Sequence, residues 1–157
     1  MKPKYKAFLI TLILALAADQ GTKIWARSSL KPRGDALTVI NGYWEFRYAE
    51  NTGAAFSFFR NSELAPYFFA AIAAIAVVVI AVYLRRAKAD SRLFAAGMGL
   101  LAGGALGNLI DRVAFGRVTD FVVWRVGSHV WPTFNVADAV LLLGVLGLML
   151  LPRAHEA

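Results

Sequence analysis

The chain contains no cysteine, and only two of its 157 residues are histidine. Without cysteine there can be no disulfide, no thiol nucleophile and no Cys-ligated zinc. The two histidines, His129 and His155, lie far apart and no HExxH spacing occurs, so neither a metal nor a cofactor is expected. There is no GxSxG motif, and no serine lies at helix depth beside a basic partner, which leaves intramembrane serine chemistry without support. Charge is scarce too: 17% of the residues are charged, 59% are hydrophobic, and the mean hydropathy is +0.56. A soluble domain is nearer half apolar. There is no internal repeat and no low-complexity tract. A formal charge of +7 could suggest nucleic acid in a soluble chain, but here the basic residues flank apolar runs, so no nucleic-acid partner is expected.

What the chain has in quantity is long apolar runs. A membrane-spanning helix needs roughly 20 such residues. Four candidates stand at about residues 5–26, 64–84, 93–112 and 133–151, predicting an all-α membrane protein with a single integral membrane domain over 1–157. The first run follows Lys2, Lys4 and Lys6, and its basic start and "ALA" also fit a cleavable signal peptide. Asp19 and Lys23, spaced i, i+4, share a helix face and favour instead a retained helix with a functional outer end. In the third run Gly99, Gly103 and Gly107 recur every four residues, which lets a neighbouring helix approach closely. Pro132 suits the first turn of the fourth helix or the position before it. If that helix begins near Thr133, Asp138 lies roughly 7–8 Å along it.

Four spans put both termini on one side. Eight basic residues flank the runs on that side with two acids, whereas nine are spread over the other side among eight acids. The raw count of basic residues is undecided, but their density in short flanks places both termini in the cytoplasm. The other side carries a β-rich insertion at about residues 34–60. Within it "LTVINGYWEFRY" holds an Asn41-Gly42 turn signal, and Trp44, Phe46 and Tyr48 alternate with Glu45 and Arg47. That alternation fits either a small sheet lying on the membrane interface or an ordinary hairpin. "VTDFVVWRV" reads as a further strand or a short interfacial helix.

The candidate site lies at the outer helix ends. The eighteen residues Leu93–Ile110 carry no charge, yet they end in Asn108, Asp111 and Arg112, and Asp120 follows. Asn135 and Asp138 sit at the start of the fourth helix, Asp19 and Lys23 at the end of the first, and Asn51 before the second. Polar groups at membrane depth are costly and usually mark function. Two facing carboxylates hold one proton between them; the ionised one takes a proton from water while the protonated one donates to a substrate carbonyl. Asp138 is one candidate member of such a pair, and Asp111 and Asp120 compete for the other place. Asp111 stands beside Arg112 and suits an ion pair, whereas Asp120 lies in a flexible-looking stretch after Gly116. A transporter with a proton relay is the reading from another class, but it calls for polar residues through the full bilayer, and Ala70–Leu84 and Leu142–Leu151 carry no charge.

The motifs "DQGTK" (19–23), "ENTGAAFS" (50–57), "GGALGNLIDR" (103–112), "GRVTDF" (116–121) and "FNVAD" (134–138) together resemble, in order, those of bacterial lipoprotein signal peptidase, the type II signal peptidase. The resemblance spans nearly the whole chain. It implies a four-helix aspartic protease of the bacterial inner membrane with a small extracytoplasmic β-cradle. It implies removal of the signal peptide from diacylglyceryl-modified prolipoproteins just before the lipidated cysteine, near the periplasmic face, and inhibition by globomycin-type cyclic peptides. Carried onto these motifs, the catalytic pair falls on Asp120 and Asp138. Asn108 and Asn135 would orient the pair, Asn51 would grip substrate from the β-rich side, Arg112 would hold substrate carbonyls or Asp111, and Asp19 with Lys23 would pin the first helix to the site. A lipidated, membrane-embedded substrate calls for a lateral opening, with Trp44, Phe56 and Phe58 as candidate lips. The chain is expected to act as a monomer among membrane lipids.

Overall fold

A computed structural model gives the fold, described over residues 1–53, 64–87 and 91–151. The expected lip residues Phe56 and Phe58 lie outside them. Helix α1 (Pro3–Trp25) runs on through a π-helical turn, Ala26–Leu30, into a three-residue helix α2 (Lys31–Arg33), where Gly34, at φ 75°, ends it. Strands β1 (Leu37–Ile40) and β2 (Trp44–Asn51) follow, then helices α3 (Ala65–Arg86) and α4 (Arg92–Phe115). Strands β3 (Val118–Val126) and β4 (His129–Val130) lead to helix α5 (Val136–Met149). Among the described residues three helices are long and apolar enough to cross a membrane: α1 with its continuation, α3 and α4. The fourth, α5, is apolar but only 14 residues long.

Helix α4 is the hub, packing against α1, α3 and α5. Its glycines explain why. A Cβ on Gly103 would lie 2.8 Å from the Ala15 Cβ and 3.0 Å from the Leu12 carbonyl oxygen, and one on Gly99 would meet Thr11 and the Phe8 carbonyl. Gly107 similarly faces Asp19. The four-residue glycine repeat is thus the seam with α1, where small residues let backbones come together. A second set, Gly97 and Gly104, faces α5: a Cβ on Gly104 would stand 2.6 Å from the Ala137 carbonyl oxygen. Helix α3 docks on α4, and the Lys4 ammonium donates to the Ala87 carbonyl at the end of α3 (2.7 Å). A cation there also suits the negative end of the helix dipole.

The strands form one antiparallel sheet in the order β1-β2-β3-β4, so the segment after α1 pairs with the segment after α4. "VTDFVVWRV" is a strand. The β1–β2 connection turns at Gly42 (φ 78°), with the Tyr43 amide donating to the Ile40 carbonyl (3.0 Å). Trp25, Trp44, Phe46 and Phe121 pack edge to face or tilted over Ala26 and Leu30. This aromatic core joins the C-terminal end of α1 to the sheet. Trp44, a candidate lip, is a half-buried member of it. On the far side of the sheet Glu45 pairs with Arg47 and Arg125.

Candidate active site

Three elements bring the carboxylates together. Helix α5 starts at Val136, not near Thr133, because Asn135 is its N-cap: the Asn135 Oδ1 accepts from the Asp138 amide (3.1 Å), and the Asp138 Oδ2 accepts from the Asn135 amide (3.2 Å). This reciprocal capping box satisfies two otherwise orphaned amides. Asp138 therefore sits in the first turn rather than roughly 7–8 Å along a helix.

Asp120 lies in β3 and is 3% exposed, so its stretch is ordered and buried rather than loose. Gly116, at φ 69°, ends α4 and turns the chain into that strand. Pairing of β2 with β3 sets Asn51 opposite Val118, with Asp120 its diagonal neighbour on the same face. The Asn51 amide donates to Asp120 Oδ2 (3.0 Å), and the Asn135 amide donates to Asp120 Oδ1 (2.6 Å). Asn135 thus holds Asp120 by its side chain and Asp138 by its backbone. Asn108 completes the ring: its Nδ2 donates to Asp138 Oδ1 (2.9 Å), and its Oδ1 accepts from Asn135 (3.2 Å) and from the Lys23 ammonium (2.9 Å). Burial pushes the Asp120 carboxyl up to about 6; the Asp138 charge adds to this, while the Asn51 and Asn135 hydrogen bonds and Lys23 oppose it.

Asp111 has other partners. It is fully buried, its Oδ2 accepts from the Thr119 amide (2.8 Å), and it lies 3.5 Å from Lys23 and 3.3 Å from Arg27. Its ion pairs are with these two residues of the first helix, not with Arg112. Successive helical residues do not face each other. Arg112 instead donates to the Asn108 carbonyl of its own helix (3.3 Å), lies over the Phe69 ring, and senses the charges of Asp138, Asp120 and Asp111. Asp19 and Lys23 pair at 2.9 Å with both side chains fully buried, and the Asp19 Oδ1 accepts from the Ala137 amide (2.8 Å) at the start of α5. The pair ties α1 to α4 and α5 beneath the carboxylates.

Three participants went unnoticed in the sequence. Gln20 bridges Asp19 (3.0 Å) and the Gly107 carbonyl (3.1 Å). Arg27 donates to Asp111 and to the Thr119 hydroxyl (3.0 Å). Arg27 stands four residues beyond Lys23, so the i, i+4 spacing that linked Asp19 to Lys23 would have found it. Nothing local in the sequence points to Thr119. Among the described residues no group of acids and histidines could hold a metal ion.

Residues 11–152 match the family described as signal peptidase (SPase) II. The chain belongs to the signal peptidase II family. It is similar to the lipoprotein signal peptidase of Geobacter metallireducens, 42% identical over 92% of this chain and 89% of that one. It is also 39% identical to that of Oleidesulfovibrio alaskensis, over 99% of this chain and 100% of the relative. A solved bacterial membrane enzyme, 29% identical, superposes with a TM-score of 0.79 over 90% of this chain and 89% of its own. The chain is accordingly a bacterial membrane hydrolase of the aspartic type that processes lipoproteins.

Proposed function

We propose that Asp120 and Asp138 form the catalytic pair, and that they cleave diacylglyceryl-modified prolipoproteins just before the lipidated cysteine. One observation carries this reading: Asn135 bonds both carboxylates at once, through its side chain to Asp120 and its amide to Asp138. Asp111, by contrast, is committed to Lys23, Arg27 and the Thr119 amide. The pair holds one proton, which we assign to Asp120, whose carboxyl pKa is raised by burial. Asp138 takes a proton from water, and the water oxygen attacks the scissile carbonyl. Asp120 gives its proton to the carbonyl oxygen. As the tetrahedral intermediate collapses, one of its hydroxyl protons returns to Asp120, the C–N bond breaks, and the amine leaves with the proton held by Asp138.

Asn51, Asn108 and Asn135 orient the carboxylates, and Arg112, at the edge of the site, meets substrate carbonyls. The whole chain acts as one membrane domain, a monomer in the bacterial inner membrane, with both termini in the cytoplasm and the sheet on the periplasmic side. Dense Lys and Arg at the ends of α1 and α3 support that orientation. Substrate enters through a lateral opening between helices, and globomycin-type peptides inhibit cleavage.

Cleavage of a purified diacylglyceryl prolipoprotein, followed by gel shift, tests this. Asp120→Asn and Asp138→Asn, each shown to be folded, are expected to give no product; turnover near wild type from either would sink the assignment.

A further inference from the structure

Behind the carboxylate pair lies a partly buried cluster that takes no part in the proposed chemistry. Successive strand residues point to opposite faces, so where Asp120 faces the site, Thr119 faces the π-helical turn. There Arg27 spans two anchors with one nitrogen: Asp111 Oδ1 at 3.3 Å and the Thr119 hydroxyl at 3.0 Å. Its guanidinium also lies 4.6 Å from the centre of the Phe115 ring, in the last turn of α4. Asp111 in turn accepts from the Thr119 amide. The residue before Asp120 is therefore fixed by main chain and side chain together, from the side opposite the site. The device sits on a π-helical turn, a feature that is frequent at functional positions.

We infer that Arg27 is a positioning residue for Asp120: through Asp111 and Thr119 it sets the rotation and height of β3, so that the Asp120 carboxylate meets Asn135 and Asn51. The inference rests on the reading of Asp120 as catalytic. Arg27 touches neither carboxylate of the pair in the described contacts, so its effect falls on turnover rather than on substrate affinity. Displacing a reacting group by about 1 Å can cost roughly 10²-fold in rate.

The test is steady-state kinetics on the purified full chain with a lipidated prolipoprotein. Arg27→Gln is expected to lower kcat by about 10²-fold with KM within about twofold of wild type. Arg27→Lys keeps a cation with several donors and is expected to recover most of that loss. Thr119→Val removes the hydroxyl at similar volume and is expected to lower kcat about tenfold, whereas Thr119→Ser leaves it unchanged. A wild-type kcat for Arg27→Gln, or a loss confined to KM, overturns the inference. If Arg27→Gln does not fold, the Thr119 pair decides, and equal kcat for Val and Ser overturns it. Asp120→Asn run alongside separates the two claims. If Asp120→Asn still cleaves, the catalytic assignment itself has failed; if it is inert while Arg27→Gln turns over normally, only the positioning role falls.

Discussion

At the scale of single residues, the asparagines govern the site. Asn51, Asn108 and Asn135 are uncharged, so they orient carboxylates without adding charge to a buried cluster. Asn51 and Asn135 also bias the protonation of Asp120, because donating a hydrogen bond to a carboxylate favours its ionised form. Asp120 is held at about 6 with Asn51 among the groups lowering it. If Asp120 carries the catalytic proton, cleavage falls on the alkaline side as that proton is lost. Replacing Asn51 with Ala removes one lowering influence, so the alkaline limb of the kcat/KM profile is expected to move to higher pH, with a lower maximum. A pH series of initial rates measures it, and a limb that stays put or moves down would argue that the proton resides elsewhere.

At the scale of elements, helix seams and caps carry the arrangement. Glycine is needed at Gly103 because a Cβ there would press into Ala15 and Leu12, whereas at Gly147, in α5, a Cβ meets nothing within 4 Å. Gly103→Ala is thus expected to destabilise the fold by about 1–3 kcal/mol, while Gly147→Ala leaves it unchanged or slightly firmer. Thermal unfolding in detergent, monitored for the two variants side by side, separates these outcomes. The glycine seam was legible in the sequence because spacing alone encodes it. So were the apolar helices and the level at which the polar residues gather. The start of α5 was misread: Thr133 looked acceptable as a first residue, and only the paired bonds between Asn135 and Asp138 fix the cap. The partners of Asp111 were also hidden, since Lys23 and Arg27 lie more than eighty residues away in sequence. A neighbour such as Arg112 is conspicuous in a sequence, but helical geometry turns it elsewhere.

At the scale of the whole molecule, the helices differ in reach. At about 1.5 Å per residue, α3 with 22 residues extends about 33 Å, and α5 with 14 extends only about 21 Å. The hydrocarbon core of a typical bilayer is about 30 Å thick. Cleavage is therefore expected to be faster in vesicles whose lipids have short monounsaturated acyl chains than in those with long ones. Initial rates on one substrate across such a series measure this, and rates independent of chain length would contradict it. The mismatch falls on the helix that bears Asp138. If α5 crosses the bilayer, lipid beside it would have to shorten or tilt to meet it, and the bilayer would dimple next to the carboxylates. Such a dimple would bring water and polar headgroups down to a peptide bond that would otherwise be shielded by acyl chains, making the surrounding membrane part of the way the scissile bond is reached.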